Sequence, residues 1–303
     1  MSLALLEVLR RSTAYLAARD DETARLDAEL LLGSVLGLRR LDLYLQFERP
    51  MQPGELERLR PLLRSRSQGC PTAYLVGERE FMGLAFSVSP AVLIPRPETE
   101  QLVERALAVL AARPPGATAP RVADLGTGSG CIAVALAHHH LDCTVDAVDR
   151  SPAALQVAVA NIGRHHLEQR VRIWEGDWAE PLWPQGGYDL VVANPPYVTS
   201  AEMRELPHTV AGYEPAQALD GGADGLAAYR SLLGGVLAIL APGATVLLEV
   251  DPRRADQLAD LCARRWPAAE LSIRPDLAGR LRVLELRCPG GAPAVVGTAA
   301  AGA

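Results

Sequence analysis

From residue 98 onward short apolar runs alternate with helical patterns, and few architectures accommodate such an alternation. Strand patterns fall at 121–126, 144–149, 171–176, 188–193, 244–250, 270–274 and 282–287. Helical patterns fall at 98–112, 130–139, 152–165, 225–240 and 253–266. Strands joined through helices pair in parallel, and the helices then cover both faces of the sheet. Ser151-Pro152 supplies a cap and a first-turn proline for the helix at 152–165. Only a short polar link separates the last two strand patterns, so they are expected to form an antiparallel hairpin at the sheet edge. The expectation is an α/β fold, a doubly wound, Rossmann-like sheet of seven strands with one reversed strand.

Upstream the pattern is different. Leu3, Leu6, Leu9 and Leu16 share one helical face, and Leu26, Leu30, Leu31, Val35 and Leu36 form a second stripe that Gly37 ends. Pro53 opens a third helix through Leu56, Leu59 and Leu62-Leu63. Phe81, Leu84, Phe86, Val88 and Val92-Leu93-Ile94 suggest a short hairpin turning at Gly83 and again near Ser89-Pro90. The expected organisation is a small N-terminal helical domain at 1–75, a hairpin and interdomain segment at 76–97, and the α/β domain at 98–288. Residues 289–303 lack apolar periodicity and are expected to be a flexible tail.

The first strand of the α/β domain runs through Asp124 into Gly126-Thr127-Gly128-Ser129-Gly130. Glycines at 126, 128 and 130 permit left-handed backbone and close approach of a ligand to the main chain. A dinucleotide turn is spaced G-x-G-x-x-G; here the spacing is G-x-G-x-G, with an acid two residues ahead. A carboxylate suits the sulfonium and ammonium of S-adenosyl-L-methionine better than it suits a pyrophosphate. By itself such a turn could equally be a tight strand-to-helix connection. Asp149 ends the second strand, where a carboxylate can accept from both ribose hydroxyls. Asp177 and Trp178 follow the third and can serve the adenine amino group and ring.

The fourth strand delivers Asn194-Pro195-Pro196-Tyr197. Proline cannot continue a sheet ladder, so the strand stops there, on the edge of an open α/β sheet where ligands bind. A planar amide or aromatic amino nitrogen has a delocalised lone pair and is a poor nucleophile. The side-chain oxygen of Asn194 and the carbonyl of Pro195 can each accept one N–H, aiming the nitrogen and stabilising the charge that develops on it. Tyr197 can lie against the planar group, and Pro196 stiffens the turn.

Other features narrow the function. No apolar run approaches the roughly 18 residues of a membrane span, and no signal peptide is legible at Met1-Ser2-Leu3. Five scattered cysteines without a C-x-x-C argue for reduced thiols in the cytoplasm, not for a disulfide framework or a zinc site. The net charge of −6 weighs against phosphate neutralisation of a nucleic acid. His138-His139-His140 point in different directions and read as a helix end, not as a metal site. Arg58, Arg60, Arg64 and Arg66 read as a solvated helix face, and Glu98 and Glu100 as a helix start.

With these residues in hand, the chain resembles the release-factor glutamine methyltransferase family over roughly residues 20–287. Beyond the glycine loop and Asn194-Pro195-Pro196-Tyr197, the resemblance lies in Asp27-Ala28-Glu29-Leu30-Leu31-Leu32, in residues 71–81, in Leu93-Ile94-Pro95-Arg96-Pro97-Glu98-Thr99-Glu100, and in Glu214-Pro215 with residues 218–226. Two departures stand out: Glu249-Val250-Asp251 where the family usually reads Glu-Ile-Gly, and Gly279-Arg280-Leu281-Arg282 where it usually reads Gly-Arg-Asp-Arg. The resemblance implies the methyltransferase variant of the doubly wound fold and methylation of the glutamine of a Gly-Gly-Gln motif in class 1 peptide chain release factors. By analogy, residues 218–226 help to shape the substrate pocket; the helical segment, which carries no chemistry of its own, is expected to bind the release-factor body away from the glutamine.

An adenine-N6 nucleic-acid methyltransferase is the competing reading, because the same Asn-Pro-Pro-Tyr chemistry works on a flipped adenine. Residues 1–95 hold equal numbers of arginines and acids, with no basic stripe. No direct contact with DNA, membrane or metal is expected. A non-catalytic interaction protein is the third reading, and intact cofactor and amide motifs speak against it.

Overall fold

The computed structural model describes residues 3–19, 21–114, 116–276 and 278–289. Beyond Pro289, the tail expected from the sequence lies outside the described residues. The elements run α1 (Leu5–Ala17), α2 (Ala24–Leu36), α3 (Arg40–Tyr44), α4 (Pro53–Ser67), α5 (Thr72–Val76), β1 (Glu78–Phe81), β2 (Leu84–Ser87) and α6 (Glu100–Ala111). Then follow β3 (Arg121–Leu125), α7 (Cys131–His139), β4 (Thr144–Asp149), α8 (Pro152–Arg164), β5 (Val171–Glu175), β6 (Tyr188–Ala193) and α9 (His208–Ala211). The chain closes with α10 (Ala227–Gly235), β7 (Leu240–Glu249), α11 (Ala255–Arg265), β8 (Glu270–Pro275) and β9 (Leu281–Arg287). Contacts divide it into two compact units: residues 1–78 with 88–90 and 206–214, and residues 79–87, 91–205 and 215 onward.

The first unit is helical. Leu5, Leu9 and Leu16 of α1, Leu31 and Leu32 of α2, Leu43, Met51 and Leu59 share one buried cluster. Gly37 takes a left-handed φ of 66° and closes α2, and Pro53 stands in the first turn of α4. The carboxylate of Glu29, fully buried in α2, accepts from Arg25, Arg40 and the Tyr44 hydroxyl. The short α3 and α5 carry too few residues to show a period in sequence. Arg66 corrects the reading of the α4 arginines as a purely solvated face. It pairs with Asp21 and Asp27, each at 2.9 Å, because its side chain lies where α4 packs on α2.

The second unit holds a two-stranded sheet, β1-β2, and a seven-stranded sheet in the order β5-β4-β3-β6-β7-β9-β8. Pairs β3/β4, β4/β5, β3/β6 and β6/β7 are parallel. β9 runs antiparallel to both β7 and β8, so the last hairpin sits at one edge with β8 outermost. Successive residues along a strand face opposite sides. Ala123, Leu125, Val191, Ala193, Val246 and Leu248 accordingly enter one core with α10 and α11, while Val122, Leu190, Val192 and Leu247 enter another with α6 and α7.

Two segments differ from expectation. The helix read at 225–240 is α only to Gly235, since the Gly234-Gly235 pair weakens it, and a 3-10 turn leads into β7 at Leu240. Val92-Leu93-Ile94, bracketed by Pro90 and Pro95, is irregular and not part of the hairpin.

The parallel strands bring the C-terminal ends of β3, β4, β5, β6 and β7 to one edge. The turn after β3 is held from beneath by Asp124. Its Oδ2 accepts from the Thr127 hydroxyl at 2.6 Å and from the Ala133 amide at 3.2 Å. Burial pushes this carboxyl up to about 7 despite those two donors. The native state therefore keeps a proton that the unfolded chain has lost above about pH 4, and stability falls as pH rises from there through 7. Asp124→Asn keeps one acceptor and removes the titration. Urea unfolding between pH 5 and 8 should show the wild type losing stability relative to Asp124→Asn, by on the order of 1.4 kcal/mol per pH unit below pH 7. Parallel curves for the two proteins would contradict the assignment.

Candidate active site

The glycine loop opens directly from β3. Gly126, Gly128 and Gly130 have φ of 79°, 56° and 79°. At Gly126 the reason for glycine is twofold, because a Cβ there would also stand 3.3 Å from the Trp178 ring. Asn161 of α8, fully buried, fixes the far side: its Nδ2 donates to the Ser129 carbonyl at 2.8 Å and to the Ser87 carbonyl at 3.0 Å. The hairpin thereby braces the loop.

Asp149, ending β4, accepts from the Gly128 amide at 2.8 Å through Oδ2 and from the Ser151 amide at 2.9 Å through Oδ1. Its carboxylate both orders the loop and starts α8, leaving further lone pairs for a ligand. Ser151 itself caps α8 by accepting from Ala154. Trp178 follows β5 with a left-handed φ of 46° and packs partly against the α10–α11 core.

These ends surround a cavity of about 330 Å³. Its wall includes Gly126, Thr127, Gly128, Ser129, Asp149, Asp177, Trp178 and Asn194. Four of the residues singled out from sequence stand elsewhere. Asp124 is fully buried behind the loop, and its Oδ1 has no partner among the described residues. Gly130 caps α7, Pro195 is buried, and Tyr197 packs on the core with Pro196 on the wall. Burial and the charges of Glu249 and Asp251 hold the Tyr197 phenol well above its ordinary range, so it stays neutral.

The segment after β6 is stitched to the loop at 215–226. Val198 donates to the Leu219 carbonyl at 3.0 Å, and Gly221 donates back to the Val198 carbonyl at 2.7 Å. A Cβ on Gly221 would come within 2.8 Å of the Pro196 carbonyl oxygen, so only glycine allows this crossing. The Asp251 departure has a structural role here. Its carboxylate pairs with Arg253 and Arg254, both of which also reach Glu202, and Glu202 accepts from the amide and hydroxyl of Thr199. The 3-10 turn that precedes α11 thus clamps the loop beyond Tyr197. At the second departure, Leu281 opens β9 opposite Pro275 of β8 and packs, half-buried, against the α10–α11 core.

Sequence reasoning overlooked several wall residues: Thr99, Gln217 and Ser231 among them. Thr99 was visible only as one letter of the 93–100 stretch, and nothing local marks the other two.

Residues 7–77 match the PrmC N-terminal domain family, and residues 100–210 match the methyltransferase small domain family. The chain is 43% identical over 258 residues to the release factor glutamine methyltransferase of Geobacter sulfurreducens, covering 85% of this chain and 88% of that protein. It is 42% identical over 281 residues to that of Moorella thermoacetica, covering 92% and 97%. Among solved structures, the catalytic domain of hMettl16 in complex with MAT2A 3'UTR hairpin 1 has a TM-score of 0.54 at 15% identity, covering 76% of this chain and 81% of that one, which is a likeness of fold. With both parts of the chain matched, and identity of this order along nearly the whole length of these relatives, the chain belongs to the release factor glutamine methyltransferase family.

Proposed function

We propose that this chain transfers a methyl group from S-adenosyl-L-methionine to the side-chain amide nitrogen (N5) of the glutamine in the Gly-Gly-Gln motif of class 1 peptide chain release factors, in the cytoplasm. The observation that carries the reading is Asn194 on the wall of the same cavity as the glycine loop, Asp149, Asp177 and Trp178.

The residues present fit the donor. The left-handed glycines let a ligand lie against the main chain, and the acids on and behind the wall suit a cationic, hydroxyl-bearing molecule. Asp124 supports this with a buried oxygen that has no partner among the described residues. Gly126–Ser129 would hold the amino-acid portion, Asp149 the ribose, and Asp177 with Trp178 the adenine. When bound, S-adenosyl-L-methionine supplies an electrophilic methyl on a sulfonium.

The protein's own task is to orient a weak nucleophile. Asn194 Oδ1 and the Pro195 carbonyl accept the two N–H groups of the glutamine amide, which fixes the nitrogen and favours the positive charge that builds on it. Positioning of this kind supplies up to about 7–11 kcal/mol. No buried base is needed, because an alkylated amide nitrogen loses its proton readily. Remote contacts to the release factor would fall to the helical unit, where Leu41 and Leu45 are 68% and 79% exposed.

The direct test is to incubate the protein with labelled S-adenosyl-L-methionine and a release factor, or DNA, and to locate the label by mass spectrometry. Label on the Gly-Gly-Gln glutamine is expected; label on adenine would replace this reading with its competitor. Asn194→Ala should lower kcat by roughly a hundredfold or more while cofactor affinity falls only modestly. Comparable turnover would remove Asn194 from the chemistry. Asp149→Ala should weaken cofactor binding by about 1.5–3 kcal/mol per charged hydrogen bond lost, read by calorimetry. The double change Leu41→Ser and Leu45→Ser should raise KM for whole release factor roughly tenfold, with turnover of a short Gly-Gly-Gln peptide unaffected. Equal effects on both substrates would show that this face does not dock the factor.

A further inference from the structure

Asn194 meets the cavity with one end of its side-chain amide already engaged. Its Nδ2 donates to Thr99 Oγ1 at 3.1 Å. Thr99 closes the 3-10 turn at Pro97–Thr99 and is 3% exposed. Its hydroxyl is in turn hydrogen-bonded to the carboxylate of Glu249, the last residue of β7, which is 1% exposed. Parallel pairing of β6 with β7 brings the two strand ends, and so Asn194 and Glu249, to one edge. Glu249 Oε2 has no partner among the described residues.

The direction of this chain of bonds follows from donor counting. A hydroxyl has one proton to give and lone pairs to receive. While Glu249 is ionised it can only accept, so the Thr99 proton goes to it. Only lone pairs then face Asn194, and only the amino end of the amide can meet them. Oδ1 is left as the free end, the acceptor that a substrate N–H requires. Once Glu249 is protonated it can donate to Thr99, the Thr99 proton becomes available to Asn194 Oδ1, and both amide orientations compete.

We infer that Glu249, acting through Thr99, is a positioning residue that orients the Asn194 amide so that its oxygen and not its amino group meets the acceptor nitrogen. This rests on the reading of Asn194 as the group that holds the substrate amide. Arg282 from β9, Arg96 and Glu98 from the segment before α6, and Tyr197 and Tyr229 surround the carboxylate, with Cys131 of α7 and Asp251 also near. The Tyr229 hydroxyl donates to the main-chain carbonyl of Glu249 at 2.7 Å and fixes the strand end. Burial, opposed by the Thr99 hydroxyl and the two arginines, pushes Glu249 up to about 7, so the orientation is expected to change within the neutral range.

The test follows the side-chain amide resonance of Asn194 in ¹⁵N-labelled full-length protein, assigned by its loss in Asn194→Ala, between pH 5.5 and 8.5. A single titration step near neutral pH is expected in the wild type, absent in Glu249→Gln and Thr99→Val. Thr99→Ser, which keeps the hydroxyl, should regain the step that Thr99→Val loses. In parallel, kcat with release factor and saturating S-adenosyl-L-methionine should fall on the acid side with the same midpoint. Glu249→Gln should be slower at pH 8 by roughly tenfold, the cost of about one misplaced hydrogen bond, with no acid limb and unchanged cofactor KM. A step that persists in Glu249→Gln overturns the relay. A step lost in Glu249→Gln with an unaltered kcat profile overturns the positioning role. Absence of transfer by the wild type overturns the functional reading alone, since the resonance still decides the orientation.

Discussion

Two consecutive prolines at the end of β6 set the position of everything that matters in the second unit. Pro195 and Pro196 cannot extend the ladder, so the strand stops at Ala193 and Asn194 is presented beyond it. Because β3, β4, β5 and β7 run parallel to β6, their ends gather at the same edge and bring the glycine loop, Asp149, Asp177 and Glu249 into one neighbourhood. The loop at 215–226 then packs so closely on Pro196 and Tyr197 that a side chain at Gly221 has no room.

The parts of this arrangement that are contiguous in the chain were legible in the sequence. Strand-helix alternation foretold the sheet, the glycine spacing foretold the turn, and the two prolines of Asn194-Pro195-Pro196-Tyr197 foretold where β6 ends and Asn194 reaches the cavity. What escaped is what depends on register. Thr99 and Asn194 lie 95 positions apart and meet only because the turn before α6 crosses the end of β6. Asn161 looks like any polar residue of a helix, yet it is fully buried and joins the hairpin to the loop. Asp124 was read as a residue facing the ligand, whereas its bonds to Thr127 and Ala133 make it first a support of the turn.

The departure at Asp251 shows how a local change is absorbed. A glycine there would supply no charge; the aspartate recruits Arg253 and Arg254, and through them Glu202, to hold the loop after Tyr197. Acidic side chains elsewhere in the unit are likewise used internally, as Glu285 is by Arg105, Arg274 and Arg287.

The grip of Asn194 and Pro195 on a planar amide is most directly examined by a crystal structure of the protein with S-adenosylhomocysteine and a Gly-Gly-Gln peptide. The expected result is the glutamine side chain in the cavity, its two N–H groups on Asn194 Oδ1 and the Pro195 carbonyl. A glutamine bound away from Asn194, or one that turns its carbonyl oxygen toward it, would contradict the mechanism.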